Sequence, residues 1–221
     1  MRTPIIFSLA LSGLASASAT ISGFDISSYQ PNVNFAKAKS SGAGFVIIKA
    51  TEGTSYKSPY FSTQYTGATN AGLIRGGYHF ARPGSGSGAT QAKYFIANGG
   101  GWSGDGRTLP GMLDVEGDCG GLSQSATVSW IKDFSDTYHS STGRYPMIYT
   151  DPSWWSTCTG NSNAFANTNP LVLARYASTP GTLPGGWPQY TIWQFNDHYS
   201  EGGDSDIFNG DQAGLRKLAT G

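Results

Sequence analysis

Charge is scarce in this chain. Only 13% of its 221 residues are Asp, Glu, Lys or Arg, and the 14 acidic and 14 basic side chains cancel. A polyphosphate needs a basic stripe to bind to, so nucleic acid is not an expected ligand. Long apolar runs are also missing. Beyond the first 19 residues no segment approaches the ~20 apolar residues of a membrane helix, and no membrane contact is expected. Cysteine occurs only at Cys119 and Cys158, without neighbouring histidines, which is a poor set for zinc. No Asn-x-Ser/Thr triplet occurs, so N-glycosylation is not expected. What the chain has instead is 31 glycines and 13% aromatic residues. A polar but uncharged surface with many rings suits sugar binding, since rings stack on pyranose faces, although core packing accounts for aromatics equally well.

Met1–Ala19 has the order of a secretory signal: Arg2, the short apolar run Ile5–Leu14, then Ala-Ser-Ala at 17–19. The alternative is a buried N-terminal strand. The expected division is therefore a signal over 1–19 and one domain over 20–221, since single barrels commonly exceed 200 residues. In an oxidising compartment Cys119 and Cys158 pair most simply with each other, tying the loop after Glu116 to the Trp154–Trp155 segment; two free thiols are the alternative.

After the signal, β-rich runs alternate with helix-like segments. Strands are expected at Ile21–Ile26, Phe45–Lys49, Leu73–Phe80, around Asp114 and at Pro146–Tyr149. Helices are expected over Asn34–Ser41, from Ser58-Pro59 to Gly72, over Ala89–Ala97, and from the cap Ser123 to Gly143. Beyond Asp151, Leu171–Tyr176 and Tyr190–Phe195 are strand-like but joined only by loop-type sequence, and a final helix starts at Asp211 with Ala213, Leu215 and Leu218 inward. Repeated βα units followed by bare strands predict an α/β fold, a parallel barrel with an irregular last third.

The stretch Pro110–Asp118, PGMLDVEGD, ends an apolar run in two carboxylates two residues apart. On a strand, Asp114 and Glu116 share one face about 6–7 Å apart, with Val115 opposite. Such a pair reaches one substrate from two environments, so one acid ionises while the other keeps its proton. A negative Asp114 would raise the pKa of Glu116 and make it the proton donor. The bland alternative is a solvated strand edge whose acids do nothing. In parallel barrels, functional groups gather where strands end. Asp25 ends the first strand, Lys49–Glu52 the second, Tyr78-His79-Phe80 the third, Trp193 and Gln194 lie near the end, and Gly203–Gly210 adds Asp204 and Asp206. The expected pocket is acidic and aromatic.

FDISSYQ, IIKATEG followed by SPYF, GGYHFARP, LDVE, IWQF and DSDIFNG occur in this order across nearly the whole of 20–221. Together they resemble glycoside hydrolase family 25, the Chalaropsis-type lysozymes or N-acetylmuramidases. The resemblance implies a single flattened, TIM-like barrel of five βα units followed by three strands. It implies cleavage of the β-1,4 bond between N-acetylmuramic acid and N-acetylglucosamine in peptidoglycan, with retention. A secreted monomer without cofactor or metal is expected. The resemblance places the catalytic set on Glu116, Asp114, Asp25 and Asp204. Glu116 is then the general acid, and Asp114 orients the substrate's own 2-acetamido group as it attacks the anomeric carbon; Asp25 as a direct nucleophile is the alternative. Tyr78, Tyr149, Tyr176, Trp193, Gln194 and Asp206 are the expected substrate contacts.

One departure stands out. The family's late pattern is D-x-N-x-F, and this chain has Asp206 where Asn is expected. The resulting DxD with Asn209 and Asp211 looks like an oxygen-rich calcium loop but lacks the glycine and glutamate of an EF-hand, so a turn capping the final helix is the expected form. His79, in an apolar run, reads as a hydrogen-bonded wall rather than a base, and Lys49–Glu52 either as a structural ion pair or as reactive groups. Trp154, Trp155 and Trp187, if exposed, would extend a glycan groove. A chitinase-like enzyme is the competing reading, but its DxxDxDxE signature is absent; a sugar-binding barrel without turnover is the other.

Overall fold

The structure, a computed structural model, describes residues 20–221. The expected signal segment lies outside the described residues. Five βα units come first: β1 (Thr20–Ile26) and α1 (Phe35–Ser40), β2 (Phe45–Glu52) with the short β3 (Tyr56–Lys57) and α2 (Phe61–Asn70), β4 (Ile74–Phe80) and α3 (Gly88–Phe95), β5 (Met112–Asp114) and α4 (Gln124–Thr142), and β6 (Met147–Thr150) and α5 (Pro152–Thr159). Then β7 (Leu171–Ala174), β8 (Ile192–Asn196) and β9 (Asp204–Asn209) follow, and α6 (Gln212–Thr220) ends the chain. A π-helical turn at Ile96–Gly100 extends α3.

The strands run β1-β2-β4-β5-β6-β7-β8-β9 around a barrel that closes where β9 pairs with β1. All neighbours are parallel except β9, which is antiparallel to both β8 and β1, while β3 folds back on β2 as a hairpin. An antiparallel β9 brings its start, Asp204, level with the end of β1, in register with Asp25. That reversal places an acid from the last strand at the mouth.

Alternation along the strands divides the apolar residues between two cores. Phe45, Ile47, Met112, Met147, Val172, Ile192 and Phe208 fill the barrel, while Val46, Ile48, Leu113, Val115, Ile148 and Leu173 point outward beneath the helices. α4 covers them with Trp130, Ile131, Phe134 and Tyr138, each such side chain contributing roughly 1.5–3 kcal/mol on burial. Ser123 caps its start through Ala126 N, and Gly143, at φ 78°, ends it. α6 plugs the N-terminal end of the barrel with Leu215 and Ala219. Ala213, expected inward, is exposed, because the plug has the barrel on one side only.

Several expectations are corrected. The helix after Ser58-Pro59 starts at Phe61: Ser58 N still donates to Ala50 O at 2.9 Å, and a residue before proline resists the helical conformation. Strand β5 ends at Asp114, although Val115 N continues the ladder to Tyr149 O at 3.0 Å, so Glu116 lies just beyond it. The loop expected after Asp151 is helix α5, with Asp151 accepting from Ser153 N and Trp154 N, Pro152 in the first turn, and Gly160 closing it at φ 65°. Trp154, Trp155 and Trp187 are buried; Trp155 and Trp187 meet edge-on at 4.9 Å, so they form core, not groove. The stretch expected as a turn at Asp204–Asn209 is strand β9, and Asp211 alone caps α6. Cys119 and Cys158 are joined, with Cα atoms 5.4 Å apart, tying the loop after Glu116 to α5.

Candidate active site

Inward-pointing polar side chains near the strand ends line or underlie one acidic cleft, with Asp114, Gln194 and Asp206 buried at its floor. Asp25 comes from β1, Lys49 from β2, Tyr78 from β4, Asp114 from β5, Tyr149 from β6, Gln194 from β8, and Asp204 from β9. Glu116 sits on the loop after β5 and divides two lobes. One, of about 300 Å³, is walled by Asp25, Asp204, Tyr78 and Lys49; the other, of about 290 Å³, by Tyr149, Asp151, Arg175 and Tyr176. Sugar rings are of this size, and the acid between the lobes faces both.

The acids are held close by backbone. Asp25 and Asp204 are directly paired across β1 and β9. A Cβ at Gly203, where φ is 85°, would lie 2.0 Å from Asp25 O, so this approach requires glycine. Gln194 joins the two acids: its Nε2 donates to Asp25 Oδ2 at 2.7 Å and Asp204 Oδ2 at 3.2 Å. Its Oε1 accepts from Tyr149 Oη at 2.9 Å and Tyr176 Oη at 3.1 Å.

Burial first, and then neighbouring like charges, shift Asp25, Asp114, Glu116, Asp204 and Asp206 upward. Burial, then the charge of Asp204, pushes Asp25 up to about 8, against the hydrogen bond from Gln194. Burial and then Glu116 hold Asp114 well above the usual carboxylate range, and its Oδ1 has no hydrogen-bond partner among the described residues. Glu116, half-buried, is raised by burial and by Asp151. The expected direction of the Glu116 shift is present, but not the expected cause: burial and Asp151, rather than Asp114, raise it. Asp204 is raised by burial and Asp197. Asp206 faces inward on β9 beneath Asp204; it is buried, neither of its oxygens has a partner among the described residues, and burial with Asp25 and Asp204 holds its pKa well up. Asp206 is therefore buried below the cleft, out of reach of a substrate in it.

The remaining candidates divide clearly. Tyr78 lines the cleft and makes no side-chain hydrogen bond among the described residues, and Tyr176, 56% exposed, stands at the rim. Trp193 does not face the cleft: strand alternation that turns Gln194 inward turns Trp193 outward, where Nε1 donates to Arg175 O at 2.8 Å and the ring packs against Tyr190 and Phe195. His79 is wholly buried on the outer face of β4, between Thr51 and Gln91 at 2.8 and 2.9 Å. Because the Gln91 amide nitrogen donates to Arg82 O and Ser85 O, its oxygen accepts from His79 Nε2, and Nδ1 accepts from Thr51. Burial lowers the His79 pKa to about 4, so it is a neutral wall, not a base. Lys49 and Arg82 both pair with Glu52, at 2.7 and 2.6 Å, and Lys49 tempers the rise of Asp114 and Glu116. Missed by sequence reasoning were Tyr29 on the loop after β1 and Asp151 and Arg175 in the second lobe. Their position directly after strand ends was the signal available.

A barrel with paired carboxyls, raised pKa values and a two-lobed polar cleft defines a sugar hydrolase. The comparisons agree. The model of glycosyl hydrolases family 25 matches residues 24–204, and the chain belongs to that family. It is 68% identical to an N,O-diacetylmuramidase from Chalaropsis sp over 211 residues, covering 91% of this chain and 100% of that one. Lysozyme M1 of Streptomyces globisporus is 47% identical, over 90% of this chain and 71% of its own. Among solved structures, a family 25 lysozyme from Aspergillus fumigatus superposes with a TM-score of 0.91 at 59% identity, covering 92% of this chain and 100% of that one.

Proposed function

We propose that this protein is a muramidase, hydrolysing the β-1,4 bond between N-acetylmuramic acid and N-acetylglucosamine of bacterial peptidoglycan with retention. The observation that carries the reading is the placement of Glu116 between two sugar-sized lobes, with buried Asp114 on the same inward face, in a chain of this family. Neither competing reading gains a specific observation: the acid pair is intact, and a chitinase's longer acidic signature is absent.

In the proposed reaction the acetamido oxygen of the bound sugar attacks its own anomeric carbon as the glycosidic bond breaks. Glu116 gives its proton to the leaving oxygen. Asp114 accepts the acetamido N–H, and the positive charge growing on that group favours the carboxylate form of Asp114. Substrate, by occupying Asp114 as an acceptor, leaves the pair's proton on Glu116. Water activated by Glu116 then opens the cyclic intermediate from the face the leaving group left, which gives retention. A nucleophilic Asp25 is disfavoured, since its raised pKa keeps it protonated at neutral pH.

Export of the domain 20–221 as a monomer is part of the same proposal, supported by the signal-like order of Met1–Ala19 and by the Cys119–Cys158 bridge. Among the described residues no helix is long and apolar enough to cross a membrane. The direct test is clearing of a bacterial cell suspension with release of reducing ends. Glu116→Gln keeps the shape and removes the proton, and a fall in kcat of roughly 10²–10⁴ is expected; turnover near that of the unmodified enzyme would end the assignment.

A further inference from the structure

We propose that Gln194 is a positioning residue that sets the hydrogen-bond polarity of the cleft, holding Asp25 and Asp204 as acceptors, engaging the hydroxyl protons of Tyr149 and Tyr176, and leaving Tyr78 as the tyrosine free to donate to substrate. The inference rests on the hydrolase reading above. Gln194 is buried at the centre of β8 and uses all four of its hydrogen-bonding positions on groups of the site. Its orientation follows from chemistry. Turned the other way, Oε1 would face two acid oxygens and Nε2 two hydroxyls, so the arrangement holds while Asp25 and Asp204 accept. Among the described residues no other side chain or backbone group donates to the carboxyl of Asp25 or Asp204. Gln194 therefore links the charge on one side of the cleft to the hydroxyls on the other.

The tyrosines are sorted by this amide. Tyr149 and Tyr176 direct their hydroxyl hydrogens at Oε1 and offer the cleft only lone pairs. Tyr78 has no such commitment and reaches the lobe that holds Asp25 and Asp204. The groups whose charge Asp25 meets from neighbouring elements are Asp204 and Asp206 on β9 and Glu116 and Asp114 at the end of β5, with Tyr78, Tyr149 and Tyr176 around them. Lys49 on β2 is the cation of that lobe, and Glu52 already binds it. Removing the Gln194 donor therefore leaves Asp25 facing mostly acids.

The test uses Gln194→Met, which keeps length without hydrogen bonds, and Gln194→Glu, which replaces the donor by an acid. Full pH profiles of kcat and KM are measured on a soluble muramyl oligosaccharide, beside the unmodified enzyme and melting curves. In both variants kcat falls roughly tenfold or more, from the loss of the amide's hydrogen bonds to the two acids, with KM little changed. Loss of the donor raises the Asp25 pKa further, so the limb of the profile that follows Asp25 moves to higher pH, and furthest in Gln194→Glu. Tyr78→Phe loses more kcat/KM than Tyr176→Phe. A Gln194→Met profile that superimposes on the original after scaling marks a merely structural role and overturns the proposal, as does an unaffected Tyr78→Phe. Should both Gln194 variants fail to fold, the double change Tyr149→Phe and Tyr176→Phe frees the amide from its other end; an unmoved profile there also overturns it. An unmodified enzyme that releases no reducing ends refutes the muramidase reading instead.

Discussion

At the N-terminal end of the barrel, the buried guanidinium of Arg75 has hydroxyl, carboxylate and aromatic partners. It donates to Thr69 and Thr108 at 2.9 and 2.8 Å, lies 3.8 Å from Asp105, and rests on the Tyr65 ring. Burial works against the charge of Asp105, but backbone hydrogen bonds from Arg107 and Thr108 outweigh it, and its pKa is lowered. The C-terminal end is arranged the opposite way. Asp25, Asp114, Asp204 and Asp206 form no ion pair among the described residues, and all have raised pKa values. One end neutralises its charges and packs an apolar plug; the other keeps its acids short of partners. Acids without cations hold protons near neutral pH, which is what a proton donor needs and what stability alone would not select.

The contrast is broken most severely at the plug. Leu215→Ala opens a cavity in the apolar end and is expected to cost about 2–5 kcal/mol in urea unfolding, while kcat of the folded fraction stays unchanged. A fall in kcat without a fall in stability would show that the two ends are not independent.

The two faces of the sheet are expected to respond to pH in opposite senses. His79, on the outer face, has a pKa of about 4 when folded against about 6.5 unfolded. Its contribution is therefore fully present above pH ~6.5 and is lost as pH falls toward 4, by about 3 kcal/mol in all. Unfolding free energies from pH 7 to 4 for the natural chain and for His79→Gln, which cannot charge, measure the difference; parallel curves would contradict it.

Asp206 gives an effect of opposite sign. Its folded pKa is raised, so its contribution is present below the unfolded value of about 3.9 and is lost as pH rises toward the folded value. Asp206→Asn cannot ionise, and its stability relative to the natural chain should grow from pH 4 to pH 8, by about 1 kcal/mol per unit of displacement. A constant offset across that range would show that Asp206 has a partner after all. The smallest expected effect is at Lys132, whose pair with Asp136 lies on the exposed face of α4. Lys132→Ala should leave the melting temperature and kcat unchanged within error, since exposed pairs contribute little.

Much of the fold was legible because burial leaves a periodic trace. Phe45–Lys49 read as a doubly buried strand and Ser123–Gly143 as a capped helix, and both are present. Helix α5 carried its own signals, an Asp-Pro start and a Gly end, yet its tryptophan pair obscured them. β9 was hidden because two aspartates and an asparagine in six residues are poor strand formers, and only pairing with β1 and β8 makes them one. Trp193 and Gln194 were both assigned to the cleft, although adjacent strand residues face opposite sides; the alternation itself argued against that.

The amino-acid order by itself determined the βα rhythm, the two cysteines that pair, and the DxE run whose spacing turns both acids the same way. Which acids meet was decided only in three dimensions. Asp25 and Asp204 are 179 positions apart in the numbering and become neighbours because β9 runs against the other strands. Whether an acid holds its proton depends on the water and charge around it, and a closed barrel sets both at once.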